Sequence, residues 1–419
     1  MRTSLLMILA ITASVLGEPA TAPLPVTGPA RTGLESFDNL MIEFIRPHKV
    51  PGAALAVVRN GKIVYARGFG YADQTAKKPV QPDSLFRIAS ISKPITSAAI
   101  MQLVDHKKLN LDDHVFDILK IKPIDKGRID PRLKKITVRH LLLHTGGWDR
   151  SKSGDPMFRP VRIAKAFGLA PPASAKQVAR YMLTEPLDFE PGSRYAYSNF
   201  GYCLLGRLIE AKTEMSYQQY VRKQLLAKAG ITQMRIGRSL RAKRADGEVA
   251  YHTRKKHTGP SVFPPKVGNP VPAQYGGMHV EAMDAHGGWI ASAIDLVRFA
   301  REFDSPETCR FLSADSITKT FARPNDRTDP AYYAFGWSVR PVGKKGKANT
   351  WHAGAFAGSS TLLVRRHDGL DWAVLFNMAR TAKGKYLASV IDPLVHRAAN
   401  AVKTWPEIDL LEAKLIKLR

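Results

Sequence analysis

Strand patterns stand at both ends of this 419-residue chain, with a long helical stretch between them. Near the start, Ala53-Ala-Leu-Ala-Val-Val58 and Lys62-Ile-Val-Tyr-Ala66 flank Asn60-Gly61, a dipeptide suited to the tight turn of a two-residue hairpin. Near the end, Thr361-Leu-Leu-Val-Arg365 and Asp371-Trp-Ala-Val-Leu-Phe376 flank Asp368-Gly369, a second turn of that kind. Residues 334–340 and 350–354 read as further strands just before it. The pattern predicts one sheet built from both termini, with a helical insertion between its halves. The fold class expected is therefore α+β, an antiparallel sheet flanked by helices plus a mostly helical second lobe.

The insertion begins with Pro94-Ile-Thr-Ser-Ala-Ala-Ile-Met-Gln-Leu-Val104, apolar on nearly all sides, which suits a buried central helix. Pro94 falls in its first turn, where a missing N–H does no harm. Thr137 is a plausible N-cap for residues 138–144. Phe200, Leu204 and Leu208 make one helical stripe, and Tyr217, Val221 and Leu225 another, stopped near Gly230. Residues 235–285 are rich in Gly, Pro and basic side chains without a clear period. They read as long loops, and loops of that size usually serve a site.

Ser90 and Lys93 stand at the start of the central helix. Side chains at i and i+3 share a helix face, so the Lys93 amine can reach the Ser90 oxygen. A hydroxyl with an adjacent base is the arrangement that makes a serine nucleophilic. The helix N-terminus there also favours developing negative charge. The spacing alone is weak, because Ser316 and Lys319 repeat it and read as an ordinary helix surface. The first pair gains weight from three later words: Tyr197-Ser-Asn199, Gly287-Gly288-Trp289 and His352-Ala-Gly354. A phenol at Tyr197 beside Lys93 could relay the Ser90 proton, since a nearby cation favours phenolate. Asn199 could donate to a substrate carbonyl. His140 and His144, at i and i+4, could in principle hold a metal, but no Glu follows His140 as the zinc-hydrolase motif requires. No Gly-x-Ser-x-Gly elbow occurs.

Taken in order, these stretches resemble the serine β-lactamase and penicillin-binding-protein superfamily. The similarity is to the branch with class C β-lactamases, D-peptidases and related esterases. It is carried by residues 85–96, 136–147, 190–201, 287–299 and 351–354. The resemblance implies a catalytic domain over about 35–400, with an α/β lobe from about 35–105 and 285–400. The helical lobe would be about 106–284, and 401–419 a C-terminal tail. It further implies Ser90 as the acylated nucleophile, with Lys93 and Tyr197 sharing general-base work and returning the proton to the leaving group. The backbone N–H groups of Ser90 and Ala355 would form the oxyanion hole, with Asn199, His352 and Gly354 beside the substrate. No cofactor and no metal are expected. The chain departs from the family at His352, where many members carry lysine. An imidazole is mostly neutral at pH 7 and holds a substrate carboxylate less strongly. Ester or D-peptide substrates are therefore favoured over β-lactams, although Lys344, Lys345 and Lys347 stand nearby. The rival reading is an inactive relative that keeps the fold as a binding or scaffold protein of the cell envelope. The intact Ser90, Lys93 and Tyr197 speak against it.

The N-terminus bears on location. Arg2, an apolar run over 5–16 and small residues after it read as an export signal over 1–22, cut after Ala22 or after Gly17. That run is too short to span a bilayer, and no later segment is long and apolar enough. A secreted protein, periplasmic or extracellular, is expected. Two cysteines, Cys203 and Cys309, make no disulfide framework and allow one bridge at most. The formal charge of +27 concentrates in runs over 120–139 and 235–256. It would favour anionic envelope polymers if it serves any partner. No nucleic-acid motif accompanies it.

Overall fold

The computed structural model describes residues 23–416, except 125–128, 255, 256, 326, 344 and 345. The expected export signal and Lys344 and Lys345 lie outside the described residues.

The two hairpins join in one antiparallel sheet. Strands β1 (Val26–Thr27), β2 (Gly52–Arg59) and β3 (Lys62–Asp73) come from the N-terminal end. Strands β4 (Tyr332–Tyr333), β5 (Ser338–Pro341), β6 (Ala348–Phe356), β7 (Ser359–Arg365) and β8 (Leu370–Phe376) come from the other end. Their order is β1-β3-β2-β8-β7-β6-β5-β4, with a short strand, Lys78–Pro79, added on β3. The chain ends meet where β2 pairs with β8, Leu55 opposite Val374. Asn60 and Gly61 both adopt positive φ, 47° and 77°, as the predicted hairpin turn requires.

Both faces of the central strands are covered, so β8 is buried along its whole length. Side chains alternate across a strand. Leu55, Val57, Val374 and Phe376 meet α1 (Glu35–His48) and α5 (Leu387–Ala401) on one face. On the other, the alanines Ala54, Ala56 and Ala373 leave a flat patch, against which α4 (Ala293–Arg301) packs. The predicted central helix is α2 (Ser92–Asp105), with residues 92–103 all buried. It lies against α3 (Asn199–Thr213), which carries the predicted Phe200–Leu208 stripe.

Four details differ from the sequence reading. The strand expected over 334–340 is broken at Gly336, whose φ is 81°. A Cβ there would strike Ser97 and the Lys93 carbonyl, so the chain turns against the start of α2 instead of running straight. The helix at Tyr217 ends in a π turn, Arg222–Leu226. Residues 402–416 are no loose tail: the Leu410 N–H donates to the Ile63 carbonyl at 2.9 Å, and its side chain is buried. Ser316 is buried rather than on a surface, donating to Asp105. Cys203 and Cys309 are both free thiols. Among the described residues no helix is long and apolar enough to cross a membrane.

Candidate active site

The Ser90 loop is pinned from three sides before α2 begins. Ile88 donates its N–H to the Trp289 carbonyl at 3.0 Å, and its own carbonyl accepts from Thr361 Oγ1 at 2.9 Å. Ser359 Oγ binds the Arg87 carbonyl. Between these anchors Ala89 adopts φ 47°, a left-handed conformation that costs a residue with a Cβ about 1–2 kcal/mol. That turn leaves Ser90 partly exposed, beside the buried start of the helix. Beneath it Arg87, fully buried, donates to the Gln274 and Arg238 carbonyls and stacks 4.4 Å from the Tyr251 ring. This side chain, unremarked in the sequence, ties the long 235–285 segment to the nucleophile loop.

Lys93 meets Ser90 as the helical spacing predicts, Nζ to Oγ 3.2 Å. It is completely buried, and its Nζ also donates to Asn199 Oδ1 at 2.7 Å and to the His286 carbonyl at 2.9 Å. Burial pushes this amine well below its ordinary 10.5, helped by the Arg150 charge and opposed by Asp155. In its neutral form, which burial favours, the amine has two N–H donors and one lone pair. The two carbonyl oxygens take both donors, so the lone pair faces the Ser90 hydroxyl. The Gly287-Gly288-Trp289 word thus acts through the backbone that presents the His286 carbonyl.

Tyr197 hydrogen-bonds Ser90, and Lys93 Nζ lies 4.7 Å from its ring centre. Burial raises the phenol above its ordinary value, so the resting group is phenol. This corrects the expectation that the nearby cation would favour phenolate: burial favours the neutral form of both the amine and the phenol. His144 packs 4.3 Å from the Tyr197 ring and accepts the Ser198 N–H at 3.2 Å. His140 accepts the Thr137 N–H at 3.3 Å as part of a capping box. Both histidines are therefore committed to local structure.

Asn199 departs from its expected place. Its Oδ1 accepts from Lys93, and its Nδ2 donates to Asp155 Oδ2 at 2.7 Å, so both ends of the amide are engaged within the site. No pattern in the chain marks Asp155, 44 residues away. The Asp155 carboxylate favours the charged form of Lys93. Asp155→Asn is accordingly expected to lower the Lys93 pKa further and shift the rising limb of a kcat/KM–pH profile to lower pH. A limb that stays in place would separate Asp155 from the amine.

His352 borders the cavity but is buried. Burial brings it down from its ordinary 6.5 to about 3, so it is neutral. Its Nδ1–H donates to the Ala353 carbonyl at 2.8 Å, which leaves Nε2 to accept the Tyr333 hydroxyl at 3.1 Å. Past Trp351, β6 has no partner on the β5 side among the described residues, so its edge over 352–356 is open. That edge lines a cavity of about 350 Å³ with Ser90, Tyr197, Tyr333 and Arg150. Ala355 and Tyr386 also line a second, mostly apolar cavity of about 630 Å³, walled by Phe158, Met278, Phe356 and Met378. Gly354 lies where β6 crosses the Ser90 loop, and a Cβ there would overlap the Ile88 carbonyl.

This fold and this serine–lysine–tyrosine cluster are those of the penicillin-binding-protein and serine β-lactamase group. A family model described as Beta-lactamase matches residues 37–393, and the chain belongs to that family. Penicillin-binding protein 4* of Bacillus subtilis (strain 168) is 28% identical over 335 residues, 77% of this chain and 66% of its own length. A probable fimbrial assembly protein FimD of Dichelobacter nodosus is 34% identical over 43% of this chain and 42% of its own length. The chain thus spans under two thirds of the length of these relatives. Among solved structures, the octameric penicillin-binding protein homologue from Pyrococcus abyssi has TM-score 0.63 at 25% identity, covering 89% of this chain and 78% of that one.

Proposed function

We propose that the protein is an exported serine hydrolase that works through an acyl-enzyme on Ser90. Ser90 Oγ attacks the substrate carbonyl as its proton passes to Lys93. The oxyanion is held by the backbone N–H groups of Ser90 and Ala355, a pair of donors of the kind typically worth on the order of 3 kcal/mol each. Tyr197 hands a proton to the leaving group and is resupplied from Lys93. Water then enters by the same route in reverse and frees the acid. The observation that carries this reading is the Lys93 amine, buried without a carboxylate on it and 3.2 Å from Ser90 Oγ.

Esters and amides are the substrates favoured over β-lactams. Support comes from the neutral, doubly bonded His352. The family's range, from penicillin-binding proteins to a D-amino acid amidase of similar fold, agrees with it. The apolar cavity beyond Ala355 offers room for the acyl half. The test is intact mass after exposure to a fluorophosphonate, with Ser90→Ala beside it. One adduct on the wild type and none on the variant is expected. A folded wild type that takes no adduct would sink the hydrolase reading and return attention to a scaffold role.

A further inference from the structure

The site holds a cation that the machinery above does not use. Arg150 lines the 350 Å³ cavity together with Ser90, and its side chain is exposed. Its guanidinium lies 4.7 Å from the centre of the Tyr197 ring. Among the described residues it makes no ion pair and no hydrogen bond, whereas its neighbours Asp149 and Arg194 pair with each other at 2.8 Å. The other positive candidates are occupied, including Arg254 and Arg380 on the wall of the second cavity, which donate to the His48 and Gly384 carbonyls. Lys93 is buried on three partners, and His352 is neutral with both ring nitrogens bonded. Lys347 is exposed and lies outside the cavity.

An unpaired guanidinium facing a catalytic cavity is suited to a planar oxyanion, which it can grip through two parallel N–H groups. Its position decides which half of the substrate carries that anion. Tyr197 protonates the leaving group, and Arg150 lies over Tyr197. The acyl half then points to the other side of Ser90, into the apolar cavity that shares Ala355 and Tyr386. We propose that Arg150 is a specificity-determining residue that selects substrates with a free carboxylate on the leaving-group side and an apolar acyl half. This rests on the hydrolase reading and replaces, at a different point of the site, the charge that His352 lacks.

The test uses two aryl esters of one apolar acid, such as phenylacetate. Their leaving phenols differ only in a meta-carboxylate or a meta-carboxamide. The wild type should favour the carboxylate ester by about 10- to 100-fold in kcat/KM, the range of a charge-assisted hydrogen-bonded contact. The preference should shrink as salt is raised, since the guanidinium is exposed. Arg150→Gln should bring the ratio close to one, and Arg150→Lys should keep part of it. Taking the ratio also cancels any change in Lys93 basicity caused by removing the Arg150 charge, because both esters feel it alike. Turnover of both esters by the wild type without preference would overturn the proposal and leave the hydrolase reading standing. So would a preference that survives in Arg150→Gln. If neither ester turns over and Ser90 takes no fluorophosphonate, the hydrolase reading fails first and the proposal falls with it.

Discussion

Lys93→Met is expected to lower kcat/KM for ester substrates about a thousandfold, within the span that a positioned general base supplies. Methionine keeps the volume and the apolar stem, so α2 should remain packed in its buried place between sheet and helical lobe. What disappears is the lone pair aimed at Ser90. The rising limb of the pH profile should disappear with it, because Lys93 is the amine that contacts the Ser90 hydroxyl and burial holds it below its ordinary 10.5. Stability gives an independent reading of the same amine. Its folded pKa lies below the unfolded one, so the folded state binds fewer protons, and wild-type stability rises with pH across that window. The methionine variant lacks this dependence. Its melting temperature relative to wild type should therefore be more favourable at pH 7 than at pH 10. A loss below tenfold, with the acid limb intact, would place the base elsewhere.

Much of this was legible in the chain because it is local. Ser90 and Lys93 are one helical turn apart, Asn60-Gly61 fixes its own backbone, and the apolar runs of β2 and β8 are continuous in the chain. What was not legible is what distant segments do to those groups. The sequence presents Asn199 as an amide beside a tyrosine. Only the fold shows that Asp155 takes its N–H group and Lys93 its oxygen. Tyr197 near a lysine suggests phenolate when the lysine is imagined as a cation. Burial of the whole cluster favours the neutral amine and the neutral phenol and reverses that inference. Arg87 looks like any basic residue, yet it is closed off by Gln274, 187 positions away. Local periodicity carries none of this, because each contact depends on how two remote loops are brought together by the sheet.

Gly354→Ala should be nearly as damaging as loss of the base, although it removes no chemical group. The sequence marks this glycine only as the end of the His352-Ala-Gly354 word. In the structure it is the point where β6 passes the nucleophile loop. A Cβ there would overlap the Ile88 carbonyl, lie 2.5 Å from Thr361 Oγ1 and 3.1 Å from the Ser90 nitrogen. The first of these is backbone held by two anchors, and Thr361 is one of them, so neither neighbour can step aside freely. The strand and the loop must separate instead. That widens the gap between the two N–H groups assigned to the oxyanion, and displacement of about 1 Å at such a site costs on the order of a hundredfold in rate. Overpacking of this kind also destabilises by about 1–3 kcal/mol. The expected result is a folded variant with kcat/KM down by about a hundredfold or more, chiefly through kcat, since the oxyanion forms after binding. The comparison that isolates the cause is Gly354→Ala combined with Thr361→Ala. Removing Oγ1 frees one neighbour and one anchor, but the Ile88 N–H still binds the Trp289 carbonyl and its own carbonyl still faces the new Cβ, so the rescue should be partial. Full recovery in the double variant would show that the hydroxyl, not the backbone crossing, makes glycine necessary there.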